Sequence, residues 1–261
     1  MFDPRPNAGT RTNPAFNNVT LQDVGASSSY NALEINYEHR FSRGLVASAA
    51  YIYSHTISDA PDVNGFEQNL VYVEDPTNRL RDRGNSYVNR PQSFTASTIW
   101  SPRAKLENSV VNHLLSDNEF AVLTNISSGD EQNVTVNANV NDDSTVGSSV
   151  TRLLGVGRNT LRGPKIVQFD LRYTRTLFAL RERFRVQFLT EATNIFNHPN
   201  VTTLKTAGVG VDTTGCPKMA NGFALDPTHC GQLTGFPSGF GTPSSTVLQG
   251  RILNFGLGVR W

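Results

Sequence analysis

The chain has 261 residues, of which 38% are hydrophobic and 17% charged, with a formal net charge of +1. That near-neutral balance gives no electrostatic footprint for nucleic acid, and no run approaches the ~18 consecutive apolar residues of a membrane-spanning helix. A mean hydropathy of −0.33 is polar for a membrane protein, unless only alternate residues meet lipid, as in a transmembrane β-barrel.

In chain order, the opening Met1-Phe-Asp-Pro-Arg-Pro-Asn7 lacks the apolar core of a signal peptide. A barrel has to be exported, so the chain reads as the C-terminal portion of something longer. The first alternating segment sets Leu33, Ile35, Tyr37, His39 and Phe41 against Ala32, Glu34, Asn36, Glu38 and Arg40, which predicts a strand with one apolar and one charged face. Ser42-Arg43-Gly44 is a tight hairpin signal. The return strand carries Leu45, Ala47, Ala49, Tyr51 and Tyr53. A third strand holds Phe94, Ala96, Thr98 and Trp100, and a fourth Phe120, Val122, Thr124 and Ile126. The fifth sets Val167, Phe169, Leu171 and Tyr173 against Gln168, Asp170, Arg172 and Thr174. A link over 179–183 leads to the sixth, Phe184, Val186 and Phe188. The seventh is the clearest: Leu253, Phe255, Leu257, Val259 and Trp261 share one parity, opposite Ile252, Asn254, Gly256, Gly258 and Arg260. Residues 15–24 alternate too poorly to make a convincing eighth strand.

The links alternate as well. Short ones join strands one to two and five to six, the 101–117 link is intermediate, and the links after strands two, four and six are long and polar. Soluble domains seldom carry structureless loops of that length, whereas barrels have short periplasmic turns and long external loops. With a periplasmic C-terminus all three long loops fall outside. The inner ends then carry Phe41, Trp100, Phe184 and Trp261, with Leu45 and Leu177 close by, and the outer ends carry Tyr51 and Tyr53, the pattern of two aromatic girdles. Glu34, Glu38, Arg40, Asp170, Arg172, Arg185, Glu191 and Arg260 share the polar parity. They line either a wet lumen or the solvent face of a soluble sandwich.

Other constellations are weaker. Asp59, Asp62, Asn64 and Glu67, and again Asn141, Asp142 and Asp143, offer oxygens without the register of a calcium loop. His39, His55, His113, His198 and His229 are scattered, so no zinc spacing exists. Glu191 and His198 form an acid–base pair only on paper, because His198-Pro199-Asn200 reads better as a strand exit. No nucleophile elbow and no phosphate loop occurs, so neither enzymatic chemistry nor a cofactor is expected. The sequons at Asn18, Asn125, Asn133 and Asn200 reflect an Asn- and Thr-rich composition. Cys216 and Cys230, the only cysteines, lie in one Gly/Pro/Thr-rich stretch and suggest a loop disulfide formed in an oxidising compartment.

Several stretches resemble the C-terminal barrel region of TonB-dependent receptors, specifically the Oar-like group. They are Arg43-Gly-Leu-Val-Ala-Ser-Ala-Ala-Tyr-Ile-Tyr-Ser-His-Thr-Ile-Ser58, Asn78-Arg-Leu-Arg-Asp-Arg-Gly-Asn85, Phe169-Asp-Leu-Arg-Tyr173, Glu191-Ala-Thr-Asn-Ile-Phe-Asn-His-Pro-Asn200 and the final Gly250-Arg-Ile-Leu-Asn-Phe-Gly-Leu-Gly-Val-Arg-Trp261. Residues 114–120 lack the Gly-Gly-Trp of that group, and Arg90-Pro91-Gln92 replaces its usual approach to a strand. The resemblance implies an all-β fold: a partial antiparallel transmembrane barrel of seven or eight strands over 1–261, with plug, TonB box and signal peptide absent. It implies location in the bacterial outer membrane and energised uptake of an unknown ligand, with the TonB system engaged through the missing N-terminal part. It also implies contact with outer-membrane lipid and insertion by the barrel-assembly machinery, which would read Leu253, Phe255, Leu257, Val259 and Trp261. The alternatives are a secreted soluble β-sandwich binding module and a small passive porin.

Overall fold

Period-two alternation becomes one long antiparallel meander in a computed structural model that describes residues 24–41, 44–60, 79–102, 109–136, 152–153, 156–180, 184–212, 232–246 and 250–260. Its strands are β1 (Ser28–Arg40), β2 (Leu45–Ser58), β3 (Gln92–Trp100), β4 (Asn118–Ser127), β5 (Ile166–Leu180), β6 (Phe184–Thr193) and β7 (Ile252–Arg260). Each hydrogen-bonds to the next, and the pair Gly84–Asn85 adds a stub to the end of β2. All seven expected strands are present. Nothing among the described residues pairs with the outer edges of β1 and β7, so the sheet is open. Trp261, Cys216, Cys230, residues 15–23 and most of the loop oxygens (Asp62, Asn64, Glu67 and 141–143) lie outside the described residues.

Register carries the alternation from strand to strand. Tyr37 opposes Ala49, Ala49 opposes Ala96, and Ala96 opposes Thr124. Thr124 opposes Phe169, Tyr173 opposes Thr190, and Thr190 opposes Phe255. Side-chain period is two in every strand, so one slip would have broken this chain of apolar partners. One irregularity does occur. A β-bulge between Thr176 and Phe178 makes Leu177 the extra residue of β5, and a bulge shifts all later residues by one position. The shift returns Phe178 to the apolar face, opposite Val186. The β5–β6 link is therefore tighter than the expected 179–183, since β5 runs to Leu180.

The three long links all leave from one rim, and the short ones from the other. The intermediate link contains a short helix, α1 (Ser109–Ser116), which alternation could not reveal. The long links are not structureless. Val201–Leu204 pairs with Pro243–Thr246, Gly210–Val211 with Leu233–Gly235, and Glu131–Gln132 with Leu161–Arg162.

Candidate functional site

The distribution of apolar side chains is the reverse of a soluble protein's. Among the described residues the buried apolar ones are Val136, Ile166, Ala192, Val201 and Val209, which lie in the loop layer or at the strand ends beside it. The large side chains of the strands face outward. Leu33, Ile35 and Tyr37 of β1 are all more than half exposed, and Phe255 and Leu257 of β7 are 69% and 72% exposed. A single uncovered patch of monomer surface rarely exceeds a few hundred Å². Here an apolar face crosses seven strands with no layer over it among the described residues, and this is a surface built for lipid. A sandwich would need a second sheet there, so the soluble alternative fails.

At the short-turn rim this face carries an aromatic row. Trp100 stacks on Phe120 with centroids 5.7 Å apart, and Phe120 meets Tyr173 at 5.0 Å. On β1, His39 lies between Tyr37 and Phe41, at 6.3 and 4.1 Å. Phe178 and Phe184 continue the rim, 51% and 41% exposed. The expected girdle residues Phe41, Trp100, Phe184 and Leu45 lie at this rim. Leu177, also expected there, is the unpaired extra residue of the bulge, and Phe178 is the one that pairs with Val186. Leu253, Phe255, Leu257 and Val259 share one face of β7 as expected, while Tyr53, 56% exposed, lies toward the opposite rim.

The other face is polar and cross-linked between strands. Ser48 and Ser97 hydroxyls meet at 2.7 Å, and Thr95 Oγ1 donates to Asn125 Oδ1 at 3.0 Å. Arg172 and Glu191, direct register partners, approach to 3.7 Å. Asp170 accepts Gln168 Nε2 at 2.8 Å and the Asn194 backbone N–H at 2.9 Å. Arg40 and Glu38 form a loose pair at 3.9 Å. An open hollow of about 380 Å³ lies across the middle of this face, with Ser97, Ile99, Leu123, Asp170, Arg172 and Glu191 in its lining. Of the expected lumenal residues, Asp170, Arg172 and Glu191 are thus brought together. Glu34, Glu38, Arg40 and Arg185 share the face at a distance, and Arg260 registers opposite Arg185.

Above the long-loop rim sits a polar layer that alternation could not show. Arg152 Nη1 meets Asp82 Oδ1 at 3.0 Å with both side chains under 10% exposed, and Arg158 Nη1 donates to the carbonyls of Ser58 and Asp82. Arg90 reaches Asp130 at 2.6 Å, and Arg162 reaches Glu131 at 2.5 Å. Buried asparagines stitch loop to strand. Asn200 donates to the Val167 carbonyl at 2.9 Å and accepts the Val167 N–H at 2.7 Å, while Asn89 accepts the Thr56 N–H at 2.7 Å. Asn159, Asn194 and Asn197 adopt positive φ, a conformation asparagine tolerates better than most residues. His198 is part of this stitching: its N–H donates to Asn194 Oδ1 and its Nδ1 lies 3.1 Å from Asn200 Oδ1. That is a strand-exit cap, as the sequence suggested. Asp59 takes the Ser27 N–H at 2.5 Å. This backbone hydrogen bond, helped by the Arg79 charge, holds its carboxyl below the ordinary value.

A family model described as an outer membrane beta barrel domain matches residues 3–156 and 151–253. No curated protein and no solved structure matches the chain.

Proposed function

The chain belongs to the outer membrane beta barrel domain family, and on that premise we propose that it forms part of the barrel wall of a TonB-dependent receptor of the Oar-like group. Its location is the bacterial outer membrane. The observation that carries the reading is that no described strand pairs with the outer edges of β1 and β7. Unpaired strand edges are not tolerated in hydrocarbon, where every backbone N–H and C=O needs a partner. The seven described strands therefore need further strands to close, as they would within the wall of a large receptor. The stretches that resemble this group, above all Glu191 to Asn200, support the same assignment. In this reading the short turns are periplasmic and the pinned loop layer is external, where ligand is captured. The polar face with its Asp170–Arg172–Glu191 cluster lines the lumen and meets a plug that the TonB system displaces. The chain contributes no covalent chemistry, and its role is a wall and a gated path for a ligand taken up at the expense of inner-membrane energy.

Cross-linking at the edges tests this. A photo-reactive residue at Asn36 on β1 and another at Asn254 on β7, in native outer membranes, should link each edge to strands of the same polypeptide outside 28–260. A β1–β7 link would mean a small self-closed barrel, and links between copies an assembled pore. Either result favours the passive porin and overturns the receptor, as would a steady conductance in planar bilayers.

A further inference from the structure

One side chain breaks the outer face. Across the outward parity of the seven described strands, Arg175 of β5 is the one Asp, Glu, Lys or Arg. Its register partners are Asn118 on β4 and Phe188 on β6, both on the same face. Tyr173, two residues back, donates its hydroxyl to Asn118 Oδ1 at 2.7 Å. The Arg175 side chain is half-buried, and its guanidinium makes no hydrogen bond or ion pair with any described residue. An arginine in lipid is strongly disfavoured at the bilayer midplane and nearly neutral at an interface, so its depth decides what it is for.

The register gives that depth. Barrel strands tilt by about 40° and lie about 4.8 Å apart, so a line of constant height slips by about 1.2 residues per strand against the register. The direction follows from the strand ends. Trp100, which closes β3, lies in register through Phe120 with Tyr173, yet β5 runs on to Leu180. Two strands on from Trp100, the line of constant height therefore passes from Tyr173 to Arg175. Two strands back, by the same slip, it passes from Phe41 to His39, the other basic outward side chain at this rim. Two polar breaks in the apolar face thus share the height of Trp100, where aromatic belts mark the boundary of the hydrocarbon.

We propose that Arg175, flanked by Tyr173 and Asn118, binds the phosphate of an anionic phospholipid in the periplasmic leaflet. This rests on the membrane reading above and on the short turns being periplasmic. A planar guanidinium offers a fork of donors matched to phosphate oxygens, and here it stands just outside an aromatic row with no anion among the described residues paired to it. The neighbouring rings of Tyr173 and Phe188 would pack along the upper acyl chain. One basic side chain near a membrane surface favours an anionic lipid by ~1 kcal/mol, which is about fivefold.

The test uses the complete receptor polypeptide that carries this stretch of wall, reconstituted in phosphatidylcholine vesicles containing spin-labelled phosphatidylglycerol, with flotation and protease protection reporting insertion. The wild type should hold a motionally restricted phosphatidylglycerol population with about fivefold selectivity over labelled phosphatidylcholine. Arg175→Gln should insert equally well and lose that selectivity, and Arg175→Lys should keep most of it. Unchanged selectivity in an inserted Arg175→Gln protein overturns the phosphate site and leaves the membrane reading standing. Failure of the wild type to insert overturns both.

Discussion

Phe255→Arg is the sharpest perturbation of the outer face. Phe255 lies five residues from the inner end of β7. At about 3.3 Å per residue and about 40° tilt this is about 13 Å along the membrane normal, half of an apolar band roughly 25 Å tall. The side chain is 69% exposed, so little protein packing is lost, and the cost is that of placing a guanidinium at the midplane, about 2–4 kcal/mol. That corresponds to a loss in the folded-to-unfolded ratio of roughly thirty- to a thousandfold. The control is the adjacent Gly256→Arg on the polar face. There an added Cβ meets Leu189 at 3.9 Å, an ordinary contact, and the charge enters the wet side. Assembly is measured in outer membranes as the protease-protected, heat-modifiable fraction. The reasoning predicts that Phe255→Arg collapses this fraction while Gly256→Arg leaves it near wild type. The reverse order would mean that the two faces have been assigned the wrong way round.

Three further outcomes follow from the loop layer. Asp82→Asn leaves the buried Arg152 guanidinium without its carboxylate, so the loops around 79–91 should lose about 3–5 kcal/mol of local stability and become protease-sensitive while the strands stay protected. Asn200→Ala removes both bonds to the Val167 backbone at a position with no exposure; the cost should be about 1–3 kcal/mol, read as faster amide exchange at the start of β5. Asp59 has a lowered folded-state pKa, so its clamp on Ser27 is fully present above the unfolded carboxyl value and lost as pH falls through the folded one. Protection of the Ser27 amide, taken relative to its intrinsic exchange rate at each pH, should fall over that acid window and stay constant in Asp59→Asn.

Strand content was legible in the residues because barrel walls need the same parity everywhere. Val167, Phe169, Leu171 and Tyr173 obey it without knowledge of any neighbour, as do Leu253 through Val259. The bulge at Leu177 left only the trace that Arg175 and Leu177 continue the parity of Tyr173 while Phe178 does not. The register shift that explains it depends on Val186 and Gln187 of the partner strand. The loop layer was illegible for a different reason. Arg152 with Asp82 and Arg158 with Ser58 join residues 70 and 100 positions apart, and no local pattern announces such pairs. Among the lumenal residues parity gave the face, but only the register brought Arg172 beside Glu191.

The most direct measurement is a nitroxide scan along β7 in the membrane-inserted protein, one labelled cysteine at a time from 252 to 260. An outer-membrane wall predicts oxygen accessibility peaking at 253, 255, 257 and 259 and falling at 254, 256 and 258, with a water-soluble relaxant showing the opposite phase. Accessibility without period two, or with the peaks at the even positions, would contradict the assignment of the apolar face to lipid.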